Sequence, residues 1–269
     1  MSKSTEDLIR ELETGGVFED RRAAPVAKPR RSPAVLPRAG GLTNSGAVML
    51  VVATILIAVV GSLPFGSMAL YPFALFVTLL HETGHSLAAL ATGGSVSSLQ
   101  ISSDLSGLTQ IRGGIMSIIA PAGYLGATLA GVGLLLSPLR YARWVVGALT
   151  VVPLATLVLF GPADTFTAVW CAIYALALGV AAWKLPLRWL SFLQIFLGVE
   201  AGLNAFRDLM TLIFISGSNA HIQTDAQNMS SSLFLPATFW AVSWTVISVV
   251  LLASALVLVV RRDVASLRR

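Results

Sequence analysis

Residues 79–87 read Leu79-Leu80-His81-Glu82-Thr83-Gly84-His85-Ser86-Leu87, and the reading of the whole chain turns on them. They contain H-E-x-x-H inside an apolar stretch, residues 72–92, long enough to cross a bilayer. A helix puts residues i and i+4 on one face, so His81 and His85 are spaced to grip one metal ion. Glu82 lies beside them, where a carboxylate can take a proton from a metal-bound water. Three ionisable groups in hydrocarbon are costly, which makes them a functional hypothesis by default. The bland alternative is two packed histidines with a stray acid. It is weakened because the chain has only three His in all.

Working outward, the composition is that of an integral membrane protein. Of 269 residues, 55% are hydrophobic and 12% charged, against roughly 25% charged in a soluble domain. Seven apolar segments fall at 46–63, 72–92, 114–136, 143–161, 165–183, 188–214 and 237–260. The expected fold is an all-α polytopic membrane protein with six or seven transmembrane helices. Residues 94–112 break the pattern. Val96, Leu99, Ile101, Leu108 and Ile111 alternate with polar residues around a Ser103-Asp104-Leu105-Ser106-Gly107 turn. This predicts a small membrane-associated β-hairpin or re-entrant element after the H-E-x-x-H helix. Its strand edges cannot face lipid, so it must pack on protein or line a wet cavity.

Charge divides the chain into three parts. Residues 1–44 are expected to form a disordered cytoplasmic tail. They hold eight of the 18 Lys and Arg and six of the 13 acids, and residues 21–38 carry four prolines. Thr5 is placed to cap a short helix ending near Leu12. Residues 45–262 form the transmembrane domain, and 263–269 a short basic C-terminal tail. The net charge of +5 points to an anionic membrane surface and not to nucleic acid, since no basic patch is interleaved with aromatics. Basic residues at both ends and in the 140–143 and 184–188 loops favour one side, with a cytoplasmic N-terminus. Two ends on one side require an even number of crossings, yet seven segments are present. Either one segment does not span, with the first segment and 115–136 as the suspects, or one end lies on the opposite side.

Seven acids remain outside the tail: Glu82, Asp104, Asp164, Glu200, Asp208, Asp225 and Asp263. A catalytic zinc needs a third protein ligand, and it has to come from these or from His221. Glu200, Asn204 and Asp208 share a helix face beside Arg207, as a polar stripe near the metal or as a packing salt bridge. Asp225 lies just ahead of the last apolar segment. Asp104 reads as a turn residue and Asp164 as a helix N-cap. Gly84 allows a close approach by another helix or by substrate. Arg112 either contacts substrate or snorkels to the interface.

Taken in order, LLHETGHSLAALATGG, the hairpin SLQISSDLSGLTQIRGG, PAGYLG at 121–126 and TDAQ at 224–227 resemble the site-2 protease superfamily of intramembrane zinc metallopeptidases. The likeness is in particular to its compact peptidase M50B-like branch, over about residues 72–260. The resemblance implies Zn2+ held by His81 and His85, with Glu82 as general base. The third ligand it implies is Asp225, in Thr224-Asp225-Ala226, with Asp208 as the alternate. Glu200, Asn204, Gly84 and Arg112 then lie behind the metal ligands or against the substrate. PAGYLG stands where many relatives carry Gly-Pro-x-x-Asn. The implied activity is hydrolysis of a peptide bond in a membrane-anchored protein substrate, within the lipid bilayer, with the bacterial cytoplasmic membrane as the expected location. The competing readings are a non-catalytic membrane protein of this fold that binds metal or a partner, and an ion transporter using its midplane His and Asp residues.

Overall fold

The computed structural model describes Thr5, Glu6, Ile9, Arg10, residues 45–218 and residues 223–267. The chain divides into Met1–Ala39 and Gly40–Arg269. In the first unit the four described residues are helical, at the position where Thr5 is read as a cap. The remainder of the expected tail, and His221, lie outside the described residues.

The second unit is a helical bundle with one β-hairpin. Its elements are α1 (Gly46–Ser62), α2 (Gly66–Ala91), β1 (Ser95–Ile101), β2 (Gly107–Arg112) and α3 (Met116–Leu136). There follow a broken helix α4 (Leu139–Phe160), α5 (Thr165–Lys184), α6 (Leu187–Ser218), α7 (Asp225–Ser232) and α8 (Ala237–Leu267). Helices α2, α3, α4, α5, α6 and α8 are long and apolar enough to cross a membrane; α1 is shorter. The last helix runs five residues into the expected 263–269 tail.

The parity conflict is resolved at α1. At its start, Ser45 and the Ala47 N–H both donate to Asp263 near the end of α8, and Leu139 and Val259 pack at Gly46. At its finish, Leu56 and Val60 share a groove with Leu185, Trp189 and Phe192. These partners belong to one end of the bundle. Arg262 donates to the Leu136 carbonyl (2.6 Å) and Ser191 to that of Leu139 (3.2 Å), tying the ends of α8 and α3 to the start of α6. Both ends of α1 therefore meet partners at one end of the bundle, and six longer apolar helices remain as candidate spans. Of the two suspects, it is the first segment that falls short of a spanning length.

Several polar side chains inside the bundle donate to neighbouring helices, the pairing that a medium without water favours, although Gln194 Oε1 and Glu200 Oε2 are buried without a hydrogen-bond partner. Gln194 donates to the carbonyls of Leu134 and Ser137 at 2.8 and 3.0 Å, and Thr128 to Ser248 at 3.0 Å. Pro153 removes a backbone donor from α4, and the helix continues as a π turn over Thr156–Phe160.

The expected hairpin forms, as a two-stranded sheet folded back along α2. β1 and β2 pair antiparallel, from Ser95 opposite Arg112 to Ile101 opposite Gly107. The outer edge of β1 is taken by the chain after α4. Leu99 N–H donates to the Gly161 carbonyl (2.9 Å) and Ala163 N–H to that of Leu99 (3.0 Å). On the other side, β2 has no further strand partner among the described residues. The turn lies along α2, where Tyr71 donates to the Ser103 carbonyl and Thr78 to that of Leu105, each at 3.0 Å.

Candidate metal centre

One turn of α2 carries His81 and His85, whose Nε2 atoms stand 2.9 Å apart. Their orientation is imposed from α3. His85 Nδ1 lies 2.8 Å from the Ile119 carbonyl oxygen. A carbonyl only accepts, so the proton sits on Nδ1 and the Nε2 lone pair is left for a ligand. His81 meets the Tyr124 ring edge-on, with centroids 4.5 Å apart, and Tyr124 stacks in turn on Trp244.

The α2–α3 approach is close because two glycines permit it. A Cβ on Gly84 would lie 2.3 Å from the Ala122 carbonyl oxygen, and one on Gly123 would lie 2.3 and 2.5 Å from the two histidine Nε2 atoms. Gly123, in PAGYLG, thus leaves open the space on to which both imidazoles converge.

A third donor comes from α7. Thr224 caps that helix by accepting from Gln227 N–H (3.2 Å), which sets Asp225 at its first position. Ala226 and Met229 bury α7 against Ala120, Leu209 and Trp244. Asp225 Oδ2 then lies 3.3 Å from His81 Nε2 and 3.2 Å from His85 Nε2. Burial opposes ionisation of Asp225, but the two imidazoles outweigh it and hold the carboxyl below the usual carboxylate range.

The donor set fits zinc. Ligands about 2.0–2.1 Å from a tetrahedral ion stand roughly 3.3 Å from one another. The two imidazole–carboxylate distances match that edge, and the imidazole–imidazole distance is slightly shorter. Two neutral nitrogens and one carboxylate are also the donor types of catalytic zinc.

Glu82 is buried, and its carboxylate lies within 4.8 Å of the histidine ligand atoms. Strand β2 cradles it. Thr109 Oγ1 donates to Glu82 Oε2 at 2.6 Å, and Gly107 packs so closely that a Cβ there would meet Oε1.

Among the other sequence candidates, Asp208 is exposed on α6, near enough to His81 for electrostatic interaction. It is Asp225, not Asp208, that reaches the imidazoles. Asn204 donates to Glu200 Oε1 (2.7 Å) and Arg207 to Asn204 Oδ1 (3.3 Å), so this stripe pairs with itself. Arg112 is exposed at the end of β2. Asp104 accepts from Ser106 in the hairpin turn, and Asp164 caps α5 through Thr167 N–H (2.7 Å). Sequence reading missed Thr109, Gly107, Gly123 and Tyr124. A threonine in an alternating strand, directly after the H-E-x-x-H helix, was the available signal for the first.

The family described as Peptidase M50B-like matches residues 47–255, and the chain belongs to it. No curated protein and no solved structure matches the chain. The chain is thus a multi-pass membrane protein of a metallopeptidase family, with a His-Glu-His group able to hold a metal ion.

Proposed function

We propose that this M50B-like family member is an intramembrane zinc endopeptidase that cleaves a membrane-anchored protein substrate. The observation that carries the reading is the convergence of His81 Nε2, His85 Nε2 and Asp225 Oδ2 to within 3.3 Å of one another, beside a buried Glu82. These three residues would hold the ion. When bound, zinc supplies an acidified water, with a pKa near 7, and polarises the scissile carbonyl.

The chain's own residues do the rest. Thr109 engages Glu82 Oε2, which leaves Oε1 to accept the water's proton and later to deliver it to the leaving amide nitrogen. The Ile119 carbonyl keeps the proton of His85 on Nδ1 throughout. The unpartnered edge of β2 offers backbone hydrogen bonds to an extended substrate segment. Unwinding is needed because a helical amide is sterically covered and already hydrogen-bonded.

The test uses purified protein in detergent, zinc analysis and a tagged single-span substrate. Glu82→Gln should retain about one zinc per chain and lose at least about 1,000-fold in turnover, within the range for a general base. Asp225→Ala should lose the zinc, whereas Asp208→Asn should keep it. Cleavage by the Glu82→Gln protein at the wild-type rate would overturn the reading.

A further inference from the structure

Helices α1, α2 and the start of α6 enclose an apolar groove of about 600 Å3, within the roughly 300–1,000 Å3 of sites that hold small ligands. Leu56 and Val60 on α1, Ala69 and Phe73 on α2, and Trp189 and Phe196 on α6 are among its walls, and every lining residue is aliphatic or aromatic. Phe73 meets Phe196 edge-on, with centroids 4.8 Å apart, which joins the α2 and α6 walls. The groove is apart from the metal centre, since Phe73 precedes His81 by eight residues, or about 12 Å along α2.

The rim of this groove is basic. Leu185 and Trp189 line it, and each follows a cation directly in the chain, Lys184 and Arg188. Lys184 Nζ stands 3.7 Å from the centre of the Trp183 ring, and the Arg188 guanidinium carbon 5.1 Å from that of Trp189. Such pairs belong to a membrane interface. Among the described residues no carboxylate pairs with either cation. Arg143, by contrast, is taken up by the carbonyls of Trp183 and Leu185 at 3.0 Å each, which fixes the α5–α6 connection. The first turn of α6 also opens here and favours negative charge. The hairpin acid Asp104 is turned away. Its turn is held by Tyr71, two residues from both Ala69 and Phe73 and so on the opposite side of α2.

The walls and the rim select the occupant. Helices that pack closely in membranes do so on small residues, and Ala69 is the only small residue of the lining. Bulky aliphatic and aromatic walls suit a flexible chain instead. Lipid tails are as apolar as these walls, so the groove offers shape and packing but no hydrophobic transfer term. Discrimination among lipids has to come from the rim. We propose that the groove binds one acyl chain of an anionic phospholipid, with the headgroup phosphate at Arg188 and Lys184. Basic side chains between membrane helices select anionic headgroups in this way. The bound lipid ties α1 to α2 and α6, the two helices that carry His81, Glu82, His85 and Asp208. The site does not depend on the proteolytic reading above.

The experiment therefore reads lipid binding without turnover. The full chain is stripped of lipid in detergent and titrated, under native mass spectrometry, with phosphatidylglycerol or with phosphatidylcholine of identical chains. One phosphatidylglycerol should bind at least about 5-fold more tightly than phosphatidylcholine. Arg188→Gln should weaken phosphatidylglycerol about 5-fold, the scale of one basic side chain beside an anionic lipid, and leave phosphatidylcholine unchanged. Arg140→Gln removes the same charge from another connection and should change neither. Ala69→Phe fills the groove from an exposed position of α2, keeps the rim, and should weaken both lipids. In solution, phosphatidylglycerol should raise the thermal midpoint of the wild type and raise that of Arg188→Gln less. Equal affinity for the two lipids, equal loss in Arg188→Gln and Arg140→Gln, or unchanged binding by a folded Ala69→Phe overturns the proposal. So does a dimer that Ala69→Phe splits, since the groove would then hold a second copy of this chain. If Ala69→Phe does not fold, the comparison of Arg188→Gln with Arg140→Gln decides.

Discussion

Helices α2 and α6 contrast with α4 and α5. The first pair is 61% and 72% buried within the protein, the second pair 22% each, although α2 and α6 are the least apolar of the six spans. His81, Glu82, His85, Glu200, Arg207 and Asp208 all lie on α2 and α6. Charged residues on α4 and α5 are confined to Arg140, Arg143 and Lys184, near their ends. In water the more apolar helix goes inside; in lipid the helix that carries polar groups must, because only protein can pair them. The inner pair is thus specified by what it cannot expose, and single-atom changes should be felt there and forgiven outside.

The largest effect is expected at Gly123. Gly123→Ala puts a methyl group into the space on to which both histidine Nε2 atoms converge, so the imidazoles and the ion cannot all keep their places. Zinc content should fall several-fold and turnover by about 100-fold or more, the scale of a misplacement of about 1 Å at a reacting centre. On the outer pair, a Cβ on Gly179 would lie 4.0 Å from its nearest neighbour, the Thr150 methyl group. Gly179→Ala should leave both quantities unchanged. Equal behaviour of the two variants would break the contrast.

A second substitution on the same inner helix tests the seam itself. Gly84→Ala drives a methyl group to 2.3 Å from a backbone carbonyl oxygen of α3, which cannot swing away as a side chain would. The α2–α3 seam must open, at a cost of about 1–3 kcal/mol, typical of overpacking. Thermal unfolding in detergent should show this as a lower midpoint, and zinc content should fall with it, because His85 is oriented from α3 across the same seam.

Much of this was legible in the sequence, for a definable reason. His81, Glu82 and His85 are close in sequence and rare in composition, so spacing alone brought them together. The hairpin showed as a switch from helical to alternating period, and Asp164 as a cap. Asp225 was harder, because 140 residues separate it from His85 and only folding decides between it and Asp208. What places it is Thr224 capping α7 together with burial of Ala226 and Met229, a packing fact with no local signature. The crossing count was illegible for a similar reason. The α1 sequence is apolar along its whole length, and the meeting of both its ends with one end of the bundle depends on partners at Asp263, Leu139 and Trp189 that lie far along the chain. Gly123 and Thr109 were present in quoted motifs, but a glycine's neighbour and a hydroxyl's partner cannot be read from spacing.

Thr109 sharpens the contrast from the hairpin side. Thr109→Val is nearly isosteric but loses the 2.6 Å hydrogen bond to Glu82 Oε2. A hydrogen bond to a charged group contributes about 1.5–3 kcal/mol. Turnover should fall about 10-fold with zinc content intact, and Thr109→Ser should restore most of the rate. A wild-type rate for the valine variant would remove Thr109 from the positioning of the base.

The smallest effect belongs to the outer pair. Asp164 caps α5 through Thr167 N–H and also accepts from Gln100 in β1 (2.7 Å). The Thr167 amide bond, ahead of the smaller Thr167 and Gln100 side-chain bonds, holds its carboxyl below the usual carboxylate range. Because the folded-state pKa is depressed, this stabilisation is full above the unfolded pKa near 4 and is lost as pH falls through the folded value. Asp164→Ala should therefore cost about 1 kcal/mol near pH 7 and progressively less below pH 4, with no change in zinc content, as thermal unfolding at two pH values would show. A zinc loss in this variant would mean that the outer helices reach the metal centre through β1, and the division between inner and outer helices would have to be redrawn around the hairpin.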